Sequence, residues 1–134
     1  MVMKKITTQQ QEIEPNILGE IEDIAVGIKK MATDIMACEI PELIVHQALR
    51  VIGISERLMT MVTAKNVTAR KLGNAKKELE IIANSILNFK ELFGAEIPSS
   101  VEDNAASMLV IAGRIAEIEV GVEDKSQKKP EVIK

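Results

Sequence analysis

The sequence predicts an all-α protein, an antiparallel four-helix bundle with polar terminal tails. Three observations carry that prediction. Apolar residues recur at spacings of three and four through four long runs. The runs are interrupted only at Glu14-Pro15, Ile40-Pro41, Asn66 and Gly94 to Pro98. The connections are too short for successive helices to point the same way. A run of about 24 residues makes a helix about 36 Å long. The expected organisation is an N-terminal arm over residues 1–14, the bundle over 15–122 and a C-terminal tail over 123–134, where periodicity is lost.

The first helix is predicted from Pro15, an initial position where the missing N–H costs nothing, and Glu20, Glu22 and Asp23 lie early in it. Ile17, Ile21, Ile24, Ile28, Met31 and Ile35 then form one stripe that belongs to the core. Pro41 restarts the chain, since a proline pushes the residue before it out of the helical region. The second helix runs from there to about Ala64. Its apolar rows are Ile44, Ala48, Val51, Leu58 and Val62, with Val45, Leu49, Ile52 and Met59 beside them, opposite a polar row of His46, Arg50, Gly53, Arg57 and Thr60.

Asn66 and Thr68 suit a turn and an N-cap for the third helix, whose apolar row is Leu72, Ala75, Leu79, Ile82, Ile86, Phe89 and Phe93, ended by Gly94. Ser99 with Glu102, or Ser100 with Asp103, suggests a capping box for the fourth helix. Its main row is Val101, Asn104, Met108, Ile111, Ile115, Ile118 and Val122. A second row, Ala105, Leu109, Ala112, Ala116 and Val120 with Gly113 adjacent, makes the helix apolar on two sides, and such a helix is expected to have two partners. That second row is the candidate subunit interface. The glycines inside the helices, Gly19, Gly27, Gly53, Gly73, Gly113 and Gly121, are expected to mark close helix approach within the bundle or between subunits.

Composition removes many kinds of chemistry. The chain has one His, one Cys, two Phe and no Tyr or Trp. A di-metal carboxylate bundle needs paired Glu-x-x-His motifs and a zinc site needs several His or Cys ligands, so neither is expected. His46 follows Glu42 by four residues, which predicts a surface ion pair. Cys38 is near a helix end, where the dipole disfavours a thiolate, and is expected to be a buried, inert thiol. No glycine-rich phosphate loop follows a strand. No catalytic residue, metal site or cofactor is predicted. No opening segment has the charged and apolar regions of a secretion signal, so folding inside a cell is expected. Runs such as Met108 to Ala112 fall far below the roughly 20 apolar residues of a membrane span.

The net charge of −3 conceals a segregation. Between Glu56 and Glu78 there is no acid, whereas Arg57, Lys65, Arg70, Lys71, Lys76 and Lys77 are all basic. These six residues are the candidate nucleic-acid-facing group, at the corner between the second and third helices. Without aromatic side chains for stacking, any contact is expected to be with phosphates, nonspecific and salt-sensitive.

The stretches GEIEDIAVGIKKMATDIM, PELIVHQALRVIGISERLMTMV and SMLVIAGRIAEIEVGV cover most of the helical part of this aromatic-poor, Ile-rich chain. In this character it resembles the major coat proteins of spindle-shaped or tailed archaeal viruses. The resemblance implies a homo-oligomeric virion shell around double-stranded DNA, made in the host cytoplasm and held by apolar helix faces. Two alternatives stand beside it. One is a small helical binding or regulatory module that docks a single partner. The other is a magnesium-dependent nucleotide pyrophosphohydrolase, which requires Glu20, Asp23, Glu78 and Glu80 to converge.

Overall fold

The computed structural model of the protein describes the backbone of residues 15–133 and the side chains of residues 15–122. These residues are all-α, without a strand among them. The helices are α1 (Pro15–Met36), α2 (Glu42–Ala64), α3 (Ala69–Leu87), the short α4 (Phe89–Phe93) and α5 (Ser99–Ile133). The four long helices touch in a closed order, α1 on α2, α2 on α3, α3 on α5 and α5 on α1. The α3–α5 and α1–α2 contacts are the most extensive, and α2 meets α3 least.

Several contacts fix the directions. Glu20 at the start of α1 lies 3.7 Å from Arg114 within α5, while Cys38, just beyond α1, lies 3.6 Å from Ser100 at the start of α5. The ends of α2 and α3 are likewise interleaved: Met61 and Ala64 share a groove with Lys71 and Ala75, and Leu43 and Ile44 share another with Ser85 and Phe89. Both pairs of helices therefore run antiparallel.

The core follows the predicted stripes. Ile21, Ile24, Ile28 and Ile35 of α1 are fully buried, as are Ile44, Ala48, Val51 and Leu58 of α2, Leu72, Leu79, Ile82 and Ile86 of α3, and Val101 and Met108 of α5. Each large aliphatic side chain so placed contributes about 1.5–3 kcal/mol relative to leaving it in water. Small residues complete the layers. Ala25, Ala32 and Ala83 are buried beside the isoleucines and let the helices approach each other.

Five differences from the sequence prediction have local causes. The third helix does not continue to Gly94. It stops at Leu87, and Asn88 (φ −96°, ψ 7°) leaves the helical region before α4 resumes for one short turn. This break carries Phe93 out of the core row, to 58% exposure, with its ring 4.8 Å from that of the buried Phe89. Gly94, at φ 67°, then takes the left-handed position that ends α4.

The capping boxes do not form, because the helix starts earlier than they require. The amides of Val101 and Glu102 already bond the Pro98 carbonyl, so Ser99 and Ser100 are helical residues. Asn104, placed on the main apolar row by its spacing, is only half-buried and donates its amide to the Ser100 carbonyl. Cys38 is half-buried, not buried, with Sγ 3.6 Å from the Asp34 carbonyl oxygen. Finally, α5 continues through Ile133, past Val122, where the apolar periodicity ends and the bundle is expected to give way to a polar tail. Apolar spacing reports a buried face and not the length of a helix. The predicted arm over residues 1–14 lies outside the described residues.

The predicted cap at Thr68 does form: its Oγ1 accepts a hydrogen bond of 3.1 Å from the Lys71 amide. Just before it, Lys65 closes α2 in the left-handed conformation (φ 54°, ψ 38°), and the Asn66 amide reaches back to the Met61 carbonyl at 3.0 Å. This is a glycine position occupied by lysine, and a Cβ there is unfavourable by roughly 1–2 kcal/mol. Lys65→Gly is expected to raise stability by about 0.5–1 kcal/mol after the greater freedom of glycine in the unfolded chain is deducted. Urea denaturation of the two proteins measures it, and an unchanged or lower midpoint would contradict the assignment.

Candidate nucleic-acid interface and assembly faces

The basic segment folds into the end of α2, the turn after it and the first half of α3. Arg57 is not free there. Its Nη2 lies 2.6 Å from Glu78 Oε1, and Arg50 approaches the other carboxylate oxygen at 3.6 Å. Glu78 is thus bracketed by two guanidinium groups across the α2–α3 seam, which removes much of the positive charge the sequence assigns to Arg57. Lys65, Arg70, Lys71 and Lys77 are exposed and Lys76 is half-buried. Arg70 and Lys77 are seven residues apart and share a row on α3, whereas Lys71 faces α2. The six predicted residues are therefore an arginine engaged by Glu78 at the seam, four exposed cations around it and one lysine partly covered.

Below Lys71 the seam opens into a groove of about 340 Å³. Its floor is the buried Met61 and Ala75, and its rim is Arg57, Thr60, Ala64, Asn66, Lys71 and Asn74. The groove follows from the loose α2–α3 pairing together with small residues at Ala64 and Ala75, which leave the seam unfilled. At the other end of the same seam a smaller hollow of about 140 Å³ is lined by Leu43, Ile44, Gln47, Ser85, Phe89, Leu92 and Phe93. Three of those apolar side chains project into solvent, Leu43 at 43%, Leu92 at 66% and Phe93 at 58% exposure.

The predicted subunit-interface row on α5 divides in two. Ala105 and Ala112 are completely buried inside the protein, so they belong to the internal core and present no face to a partner. Leu109 is partly buried against that core and Ala116 is half-buried, while Gly113 is exposed and Val120 is 55% exposed. The geometry of the row explains the split. At about 100° per residue, Ala105 and Ala112 lie nearest the main core row, Ala116 and Leu109 lie further round and Val120 lies furthest, so burial falls off across the row. Val110, at 68% exposure, extends the outward part.

Close approach accounts for few of the helical glycines. A methyl group at Gly73 would lie 2.8 Å from Oε2 of Glu119, and one at Gly27 would lie 3.9 Å from Cδ1 of Ile111. Gly19, Gly53, Gly113 and Gly121 have nothing within 4 Å of that position, so within one subunit they face open space.

The acid cluster required for magnesium chemistry does not assemble. Glu20 pairs with Arg114 and Glu78 with Arg50 and Arg57, and among the described residues no group of three or more His, Cys, Asp or Glu side chains is arranged to hold a metal ion. His46 lies 3.5 Å from Glu42 on the exposed side of α2, the pairing predicted from their spacing. Within the described residues no helix is long and apolar enough to cross a membrane. No family model matches the chain, and no curated protein or solved structure is significantly similar to it.

Proposed function

We propose that the protein is a non-enzymatic structural subunit, an antiparallel four-helix bundle that assembles with copies of itself into a coat enclosing double-stranded DNA. The observation that carries this reading is the outward side of α5. Val110 and Val120 are more than half exposed and Gly113 beside them is open, although α5 already fills its core positions against α1 and α3. An apolar strip left over after the core is complete marks a surface for another protein. The strip that serves assembly comprises Leu109, Gly113, Ala116 and Val120 from the predicted row, together with Val110.

The exposed cations Lys65, Arg70, Lys71 and Lys77 support the DNA half of the proposal. They neutralise phosphates without reading bases, as a coat that packages a whole genome requires. Such a coat subunit is made in the host cytoplasm and ends in the virion. Light scattering of the purified protein, with negative-stain images of the same sample, tests the reading. Regular tubes or shells are the expected result, with or without added DNA. A monomer that persists at high concentration in both conditions would overturn it and favour the single-partner module.

A further inference from the structure

The two ends of the α2–α3 seam differ in a complementary way. One end carries an apolar projection, Leu92 and Phe93 on α4 with Leu43 beside them. Its exposed charged neighbours include three acids: Glu42 opens α2 and lies 3.5 Å from His46, Glu91 lies within α4, and Glu96 follows it and pairs with the exposed Lys90 at 3.1 Å. The other end carries the groove floored by Met61 and Ala75, with Arg57 and Lys71 at its rim and Lys65 and Arg70 nearby. An apolar cavity of about 150 Å³ holds a benzene ring. A groove of about 340 Å³ thus has room for the Phe93 ring and the Leu92 side chain together.

We propose that the α4 projection of one copy seats in the α2–α3 groove of the next, so that subunits join head to tail. This rests on the self-assembly reading above and adds to the α5 strip a second contact on a different surface. The occupant is a second copy of the chain because the projection supplies both what the groove lacks, apolar side chains for its floor, and what the cation at its rim attracts, a carboxylate for Lys71. The break at Asn88 is what frees the projection, since it directs Leu92 and Phe93 away from the core row of α3.

The contact is open-ended. Projection and groove are different surfaces, so each joined subunit still offers one free projection and one free groove, and growth continues. A two-fold dimer using both contacts at once is disfavoured. It would bring the Arg50–Glu78–Arg57 centre of one seam against the same centre of its partner, two arginines and one glutamate from each side.

Two variants test the proposal, each with its changes at exposed positions so that folding is retained. The first replaces Leu92 and Phe93 with Ser and removes the projection. The second, Ala64→Phe, fills the groove without altering charge. Circular dichroism checks that both remain helical, and light scattering gives their masses. The wild type is expected to grow in mass with concentration. Each variant alone is expected to lose head-to-tail growth, with a tenfold or greater rise in the concentration at which large species form. An equal mixture is expected to yield capped dimers, because one variant keeps the groove and the other keeps the projection.

If the wild type assembles and either variant assembles as well as it does, this contact is wrong while the self-assembly reading stands. A wild type that stops at a dimer overturns head-to-tail growth. A wild type that stays monomeric overturns both.

Discussion

Replacing Arg70, Lys71, Lys76 and Lys77 together with Gln is expected to weaken DNA binding equally across sequences and to flatten its dependence on salt. Each phosphate contact to duplex DNA contributes about 0.9 to the slope of log affinity against log salt. Four full contacts set an upper bound of about 3.6 on the fall in that slope, with the half-buried Lys76 supplying less than its share. The loss of affinity between roughly 50 and 200 mM salt then shrinks by up to about a hundredfold relative to the wild type. Fluorescence anisotropy with two duplexes of unrelated sequence measures both quantities. Unchanged binding at low salt would remove the genome-contact proposal, and a loss confined to one duplex would mean that bases are read.

The same assay separates the charges by their surroundings. Arg57 is held by Glu78 at 2.6 Å, so a phosphate must compete with a carboxylate already in place. Arg57→Gln is therefore expected to change the slope less than Arg70→Gln, although the sequence ranks the two alike. Lys76 is half-buried and should contribute less than Lys77. A graded response of this kind would locate the DNA on the outer row of α3, along Arg70 and Lys77, and not along the seam.

The sequence revealed most where one physical rule acted alone. Pro41 restarts a helix because a proline disfavours the helical region for the residue before it, and Thr68 caps one because its hydroxyl reaches the Lys71 amide. The isoleucine stripe of α1 is buried because a spacing of three and four aligns it. Prediction failed where two local choices were close in energy. Asn88 lies in a row that remains helical by spacing, yet an asparagine leaves the helical region cheaply, and the break exposes Phe93. Assigning Ala105 and Ala112 to a second, outer row was wrong because it required knowing how wide a sector of α5 its two neighbours cover, which a list of spacings does not give. The groove between α2 and α3 was likewise not legible, since it depends on how loosely two helices pair. Its one signal in the sequence was the coincidence of Ala64 and Ala75 near the turn.

Val120→Lys and Leu109→Lys are both expected to block assembly but to differ in stability, although the sequence puts both residues on one row. Val120 is 55% exposed, so a lysine there extends into water, leaves the fold intact and sets an uncompensated charge on the assembly strip. Higher assembly should fail while the thermal midpoint barely moves. Leu109 is partly buried against the core, and a lysine there loses apolar packing and pulls a charge toward buried surface, at about 1–3 kcal/mol of stability. Its failure to assemble would therefore be ambiguous alone, and the comparison resolves it. If Val120→Lys assembles normally while remaining folded, the outward side of α5 is an ordinary solvated surface. Assembly would then have to rest on the α2–α3 seam, where the Leu92 and Phe93 variant gives an independent answer. If both surfaces are required, each subunit has two kinds of neighbour. That is the minimum for extending a head-to-tail strand sideways into a closed coat.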